Sequence, residues 1–373
     1  MIRGKRRTAW IDILVLTVSL LAGCGAKGMA ETTAAVQSQI TEDGQRTTVH
    51  FIDVGQGDSI LIESAGHAML VDAGENNQAD VVEAYLRRMK VEKLDYVIGT
   101  HPHSDHIGGL DAVIRDFEVG KVIMPPVEHT TKTFEDVLDV VADKGLKITK
   151  PRVGDTYELG AASFEIIAPN GDGYGDDLNN WSVGIRLTQG ERSFVMAGDA
   201  EAKAEADICA NGLELSADVL KLGHHGSSTS TTEEFLKAVN PSYAVISCGK
   251  DNDYGHPHRE TMELMKAYGI TVYRTDEMGT VTVTTDGKSL TWETERQGET
   301  AKASGTASAE TAGPAEDMAD AEETYVVNRN TKVFHRPDCS SVGKMKPENR
   351  ETVNDGREDL IGQGYSPCGS CKP

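Results

Sequence analysis

Residues 100–109 read THPHSDHIGG. Three histidines and one aspartate fall within six positions, after the apolar run LDYVIG and before two glycines. Imidazole and carboxylate are borderline and hard donors, and together they suit Zn²⁺, Mn²⁺ or Fe²⁺. The spacing is too tight for one four-coordinate structural site. It also differs from HExxH, whose two histidines share a helix face. On an extended loop these donors split between two cations, His101 and His103 for one, Asp105 and His106 for the other. Gly108 and Gly109 then let the chain turn tightly into the next helix.

Other apolar, strand-like runs also end in a donor. LVDAG reaches Asp72, FVMAGD reaches Asp199, VLKLGHH reaches His224 and His225, and AVISCGKDNDYGHPH leads to His256 and His258. Strand ends in an α/β sheet gather along one rim, so distant positions converge there. A carboxylate such as Asp199 can bridge both ions.

The elements around these ends fall into two similar sets. TVHFIDVG, SILIES and HAMLVDAG are short strands parted by turns, and QADVVEAYLRRMK sets Val81, Val82, Tyr85, Leu86 and Met89 at helical spacing. YELG, ASFEIIAP, SVGIRLTQG and RSFVMAGD repeat the meander; helices and strands then alternate through YAVISCG and HRETMELMKAYG to the closing strands TVYRT and GTVTVTTDGKSLTWE. The pattern predicts an α/β domain of two mixed sheets packed face to face with helices outside.

Composition bounds the rest. The 373 residues are 38% hydrophobic and carry a net charge of -22, which works against general adhesion to DNA or anionic lipid but leaves room for a local cationic site built by metal. The chain opens with the basic MIRGKRR and an apolar stretch that ends LAGC at Cys24. This resembles a bacterial lipoprotein signal and implies cleavage before Cys24, lipidation of its thiol, and an extracytoplasmic protein anchored to the membrane. An ordinary signal peptide or an uncleaved anchor is the alternative. The expected organisation is a signal peptide over 1–23, a tether over 24–46, the main domain over 47–297, a disordered linker over 298–322 rich in Ala, Thr, Gly and Glu, and a small module over 323–373.

The motif HxHxDH, with FIDVGQGDS, VDAG, AGD, LGHHGS and YGHPH, resembles the metallo-β-lactamase superfamily from about Thr47 to Thr294. Within it the accessory motifs are most similar to the soluble hydrolase domain of ComEC-type competence proteins; phosphorylcholine esterases are a more distant likeness. The resemblance implies an αββα sandwich and a hydrolase with two divalent ions, Zn or Mn. It assigns His101, His103, Asp105 and His106 to the metal loop, Asp199 to the bridge, and one late ligand to the His224–His225 pair, with His225 preferred and His224 facing substrate. Asp72 orients a ligand imidazole from behind. Asp53 and Asp58 lie in the glycine turn DVGQGD; Asp53 is placed behind the ligands, and Asp58 either touches a metal-bound water or shapes the loop. The chain departs from the family between the metal loop and Asp199, where NNWSVGIRL supplies Asn179, Asn180 and Ser182 in place of a ligand histidine. That leaves one metal more open and speaks against β-lactam hydrolysis.

The expected activity is metal-dependent cleavage of a phosphodiester, in DNA or a cell-envelope polymer. Asp105, Asp58, His224 and His256 are its catalytic candidates, with His256 as acid for the leaving oxygen. Ser227, Ser228 and Asn180 are candidates for binding phosphate oxygens, although the Ser/Thr run equally reads as an N-cap before TEEFLKAV. Alternatives are a phosphorylcholine-type ester, lactone or amide hydrolase, and a lipid-anchored binding protein without turnover. No protein partner is evident. In the C-terminal module His335, Cys339, Cys368 and Cys371 give H-x3-C and C-x2-C, four N/S donors suited to one structural Zn²⁺. The segment resembles Ada-type zinc-binding domains, with His335 in place of a cysteine. A disulfide from Cys368 to Cys371 or Cys339 is the alternative. Cys209 and Cys248 read as buried thiols.

Overall fold

The computed structural model describes residues 45–171, 173–297, 325–337, 339, 341–353, 360 and 365–368. The leader, Cys24, the tether, the linker and Cys371 lie outside the described residues. The chain divides into two units, one up to residue 305 and one from 306 onward.

The first unit is built on two sheets. Strands β1 (Thr47–Phe51), β2 (Ile60–Ser64), β3 (His67–Val71), β4 (Lys93–Ile98), β5 (Glu118–Ile123) and β6 (Ile148–Thr149) belong to the first. Strands β7 (Thr156–Leu159), β8 (Ala162–Ala168), β9 (Gly184–Gln189), β10 (Arg192–Met196), β11 (Val219–Lys221), β12 (Tyr243–Ile246) and β13 (Thr271–Arg274) form the second. The chain then returns to the first sheet, where β14 (Val281–Thr285) pairs antiparallel with β1 and β15 (Leu290–Thr294) closes the edge. In each sheet an antiparallel meander gives way to parallel strands: β3, β4 and β5 in one, β10 to β13 in the other.

Alternation along the strands creates the layers, because successive side chains point to opposite faces. In β2, Ile60 and Ile62 enter the core between the sheets, and Leu61 enters the layer beneath the helices. In β10, Phe194 and Met196 face the first sheet while Val195 faces outward. Helices α1 (Ala79–Arg88), α2 (Ser104–Ile107), α3 (Leu110–Asp116) and α4 (Lys132–Asp143) cover the first sheet through Val82, Leu86, Ile107, Leu110, Val113 and Val137. Helices α5 (Ala202–Ala210), α6 (Glu233–Val239) and α7 (Arg259–Ala267) cover the second through Ala204, Ile208, Leu236, Val239 and Met265. The result is the expected αββα sandwich. Of the helical positions read from QADVVEAYLRRMK, Val82, Tyr85 and Leu86 are buried, whereas Val81 faces solvent.

Two local expectations are corrected. Asp105 and His106 sit on the helical turn α2, not on an extended loop. Gly108 and Gly109 have ordinary right-handed backbone angles, so no sharp turn demands glycine there. Close approach demands it instead: a Cβ on Gly108 would lie 2.2 Å from the Asn76 amide nitrogen, and one on Gly109 2.5 Å from the Ala73 carbonyl oxygen. The pair lets the metal loop press against the turn that follows Asp72.

The second unit is a four-stranded sheet of β16 (Tyr325–Asn328), β17 (Val333–His335), β18 (Arg350–Val353) and β19 (Ser366–Pro367). Among the described residues its core is formed by Tyr325, Val327, Phe334 and Leu360.

Candidate metal centre

The C-terminal ends of β3, β4, β10 and β11 meet at one rim. Asp72 follows β3 in a left-handed conformation (φ 58°). Its carboxylate accepts hydrogen bonds from the Thr100 amide at 2.8 Å, the Thr100 hydroxyl at 2.7 Å and His106 Nδ1 at 2.8 Å. That bond turns His106 Nε2 toward Asp199, whose Oδ2 is 3.2 Å away. His225 arrives from β11 with Nδ1 3.0 Å from the Ser247 carbonyl oxygen, and its Nε2 lies 3.1 Å from Asp105 Oδ2 and 3.4 Å from Asp199 Oδ2. His101 Nε2 and His224 Nε2 each lie 3.9 Å from the same Asp199 oxygen. His103 joins through His101, with its Nδ1 2.9 Å from His101 Nε2. One carboxylate oxygen is therefore ringed by four imidazole nitrogens.

This arrangement fits divalent cations. Asp105, His106, Asp199 and His225 each bring a donor atom within 4.8 Å of the other three. His106 Nε2 and Asp199 Oδ1 are buried without a hydrogen-bond partner, which is costly unless something else faces them. Imidazole and carboxylate donors match Zn²⁺ or Mn²⁺.

Burial alone would push His106 and His225 down, but the surrounding carboxylates, Asp199 foremost, outweigh it and hold both imidazoles well above their ordinary value. Asp199 is itself opposed by burial, yet His106 and His225 hold it well below the carboxylate range. His101 goes the other way, pushed down by burial and by the neighbouring His106. A cation that reaches either Nε2 competes with a proton favoured there by the carboxylates, so cation binding should release protons and tighten as pH rises. Calorimetry in buffers of different ionisation enthalpy measures this; binding with no net proton release would contradict it.

The structure separates the members of the histidine pair. Both have left-handed backbones, φ 47° at His224 and 55° at His225, a strain typical of functional turns. His225 is buried and faces Asp105 and Asp199, as preferred from the sequence. His224 is partly exposed, and its Nδ1 lies 3.1 Å from Glu201 Oε1 and 3.1 Å from Thr229 Oγ1. Glu201 escaped the sequence reading, because an acid at a helix start looks like ordinary helix chemistry.

Other candidates stand differently from expectation. Asp58 is buried and paired with Lys221, Oδ2 to Nζ 2.8 Å, and its Oδ1 lies 3.3 Å behind His225 Nδ1. It thus stands on the Nδ1 side of the His225 ring. Asp53 accepts from Arg296 Nη2 at 2.9 Å and from the Gly55 amide at 3.2 Å, and supports no ligand. Asn180 spends its oxygen on the Glu201 and Ala204 amides, both at 3.1 Å, and donates from Nδ2 to Asp177, which ties down the start of α5. The Ser182 hydroxyl is 3.3 Å from His101 Nδ1 and accepts from the Asp199 amide at 3.0 Å. Ser227 bonds within the loop to Thr229, and Ser228 bonds His258 through both amide and hydroxyl. The cap of α6 is Thr232. His256 lies beside the pair, its ring centroid 5.4 Å from that of His224 and 6.1 Å from that of His225. Burial and the adjacent histidines push it down to about 3, so it is neutral at pH 7 and a poor proton donor. Cys248 is buried, while Cys209 is only partly so.

In the second unit His335, Cys339 and Cys368 bring N and S donors within 4.8 Å of one another, all three buried, with His335 Nδ1 lacking a partner.

Residues 52–250 match the family described as the metallo-beta-lactamase superfamily. The chain is similar to ComE operon protein 3 of Bacillus subtilis, 31% identical over 252 residues that cover 62% of this chain and 32% of that protein. It is similar to competence protein ComA of Neisseria gonorrhoeae, 32% identical with 61% and 30% covered, and to recombination protein 2 of Haemophilus influenzae, 32% identical with 63% and 28% covered. The chain thus spans about a third of the length of these curated relatives. Among the described residues no helix is long and apolar enough to cross a membrane.

Proposed function

The chain belongs to the metallo-β-lactamase superfamily of metal-dependent hydrolases, and on that premise we propose that its main domain is an extracytoplasmic phosphodiesterase or nuclease with two divalent cations. The observation that carries this reading is the ring of four Nε2 atoms around Asp199 Oδ2, with buried donor atoms left unpaired. Bound cations supply Lewis acidity and a means of activating water near neutral pH. The chain would supply the holding groups: Asp105, His106 and His225 for one cation, His101 and His103 for the other, with Asp199 able to serve both. Glu201 braces His224 at Nδ1 and keeps Nε2 on the side of Asp199, where it would meet substrate. A neutral His256 donates or accepts a hydrogen bond there without transferring its proton. Phosphodiester substrates are favoured by the similarity to relatives named for competence and recombination. Anchoring through a lipid on Cys24 is favoured by the leader, and one structural Zn²⁺ in the C-terminal module by its donor set.

The net charge of -22 favours a second reading, a small cell-envelope phosphoester in place of a long polyanion. A substrate panel on the metal-loaded protein separates the two. Metal-restored cleavage of bis-p-nitrophenyl phosphate and of DNA is the expected result. Turnover of phosphorylcholine esters or lactones but not of DNA would move the assignment to the second reading. Full metal occupancy with no turnover would leave a binding protein.

A further inference from the structure

We infer that Lys221 is a positioning residue for the metal centre: its buried ammonium clamps Asp58, and Asp58 fixes His225 from behind. The inference rests on the centre being a metal site, and not on which substrate is cleaved. Lys221 ends β11 on the face that packs between the sheets, and it is almost fully buried. Its Nζ lies 2.8 Å from Asp58 Oδ2 and donates to the Leu222 carbonyl oxygen at 2.9 Å. A buried ion pair gives little net stability, and an apolar pair of the same volume often packs as well or better. Stability alone therefore does not account for an ammonium here.

Position does. Asp58 sits where three parts of the rim meet. Its amide donates to the Asp105 carbonyl oxygen at 3.0 Å, and its own carbonyl oxygen accepts from the Gly74 amide, beside Asp72, at 2.8 Å. Its Oδ1 has no hydrogen bond and lies 3.3 Å from His225 Nδ1, which is also 3.0 Å from the Ser247 carbonyl oxygen. A carbonyl can only accept, so Nδ1 keeps its proton and the Nε2 lone pair is left for a cation. The carboxylate behind the ring strengthens that lone pair, as outer partners of ligand histidines do. Lys221 holds the carboxylate there and joins the second sheet to the glycine turn of the first.

The test compares the full-length protein with the Lys221→Met/Asp58→Asn double variant, which removes both charges and keeps the volume, and with Lys221→Met alone. Binding of Mn²⁺ is read by equilibrium dialysis; Mn²⁺ prefers oxygen and nitrogen donors, which leaves the cysteine cluster out of the count. The expected result is a loss of roughly 10- to 100-fold in the affinity of one Mn²⁺ in the double variant, with the metal-free melting temperature close to wild type. Unchanged affinity would overturn the inference, and so would an affinity loss that merely follows a lower metal-free melting temperature. A wild-type protein that binds no Mn²⁺ or Zn²⁺ at its main domain would instead overturn the metal-site reading itself.

Discussion

Asp199→Asn is expected to lower metal-dependent phosphodiester turnover by roughly 10³-fold while the protein stays folded. The fold should survive because asparagine keeps the volume and the turn is held by backbone contacts, notably the Asp199 amide bonded to Ser182 Oγ at 3.0 Å. The chemistry should not survive, because Oδ2 of this residue faces His101, His106, His224 and His225 together. Metal Lewis acidity is worth several kcal/mol in such sites, and each 1.4 kcal/mol is about tenfold in rate. A neutral amide also removes the charge that holds protons on His106 and His225, so both rings should titrate lower in the variant. The measurement pairs kcat on bis-p-nitrophenyl phosphate with metal content and circular dichroism. Near wild-type turnover in a variant that has lost a cation would remove the two-cation mechanism.

Most of this centre could be read from the chain because strand ends gather. Asp72, His101, Asp199 and His225 each follow an apolar run, and parallel strands bring such ends to one edge whatever their distance in sequence. What the sequence hides is the direction of individual side chains. His224 and His225 are adjacent and chemically identical, and two consecutive left-handed residues send one ring inward and the other toward Glu201. Gly223 and Gly226 flank that turn, but they do not say which imidazole enters the centre. Asn180 shows no sign in the sequence of the three neighbours that use it. Lys221 looks like a strand lysine with a solvated head, and only the packing of one sheet on the other reveals Asp58 against it. Gly108 and Gly109 announce a tight spot, but the cause lies across the rim at Ala73 and Asn76, not in their own backbone angles. Local pattern carried the strands, the helices and the donor types; pairings across the sandwich were beyond it.

The second large effect belongs to the C-terminal module. On the proposal that the module holds a structural Zn²⁺, a chelator is expected to remove the amide protection of its sheet while the main domain keeps its own. Among the described residues, Tyr325, Val327, Phe334 and Leu360 form the core of its sheet. A module this short seldom holds a fold by apolar burial alone, and a structural Zn²⁺ contributes about 10–16 kcal/mol in comparable small domains at neutral pH. The donors are poised for it. His335 ends β17, the Cys368 amide donates to the Phe334 carbonyl oxygen at 3.0 Å, and Cys339 closes the turn after Arg336. Burial pushes the His335 imidazole down, so it is neutral at pH 7 and binds without first losing a proton. Hydrogen exchange of the full chain, with and without chelator, reads the two units separately. Cys339→Ser should reproduce the effect of the chelator at saturating Zn²⁺. A module that keeps its protection in chelator but loses it in reductant would instead be stapled by a disulfide, and the zinc assignment would fall.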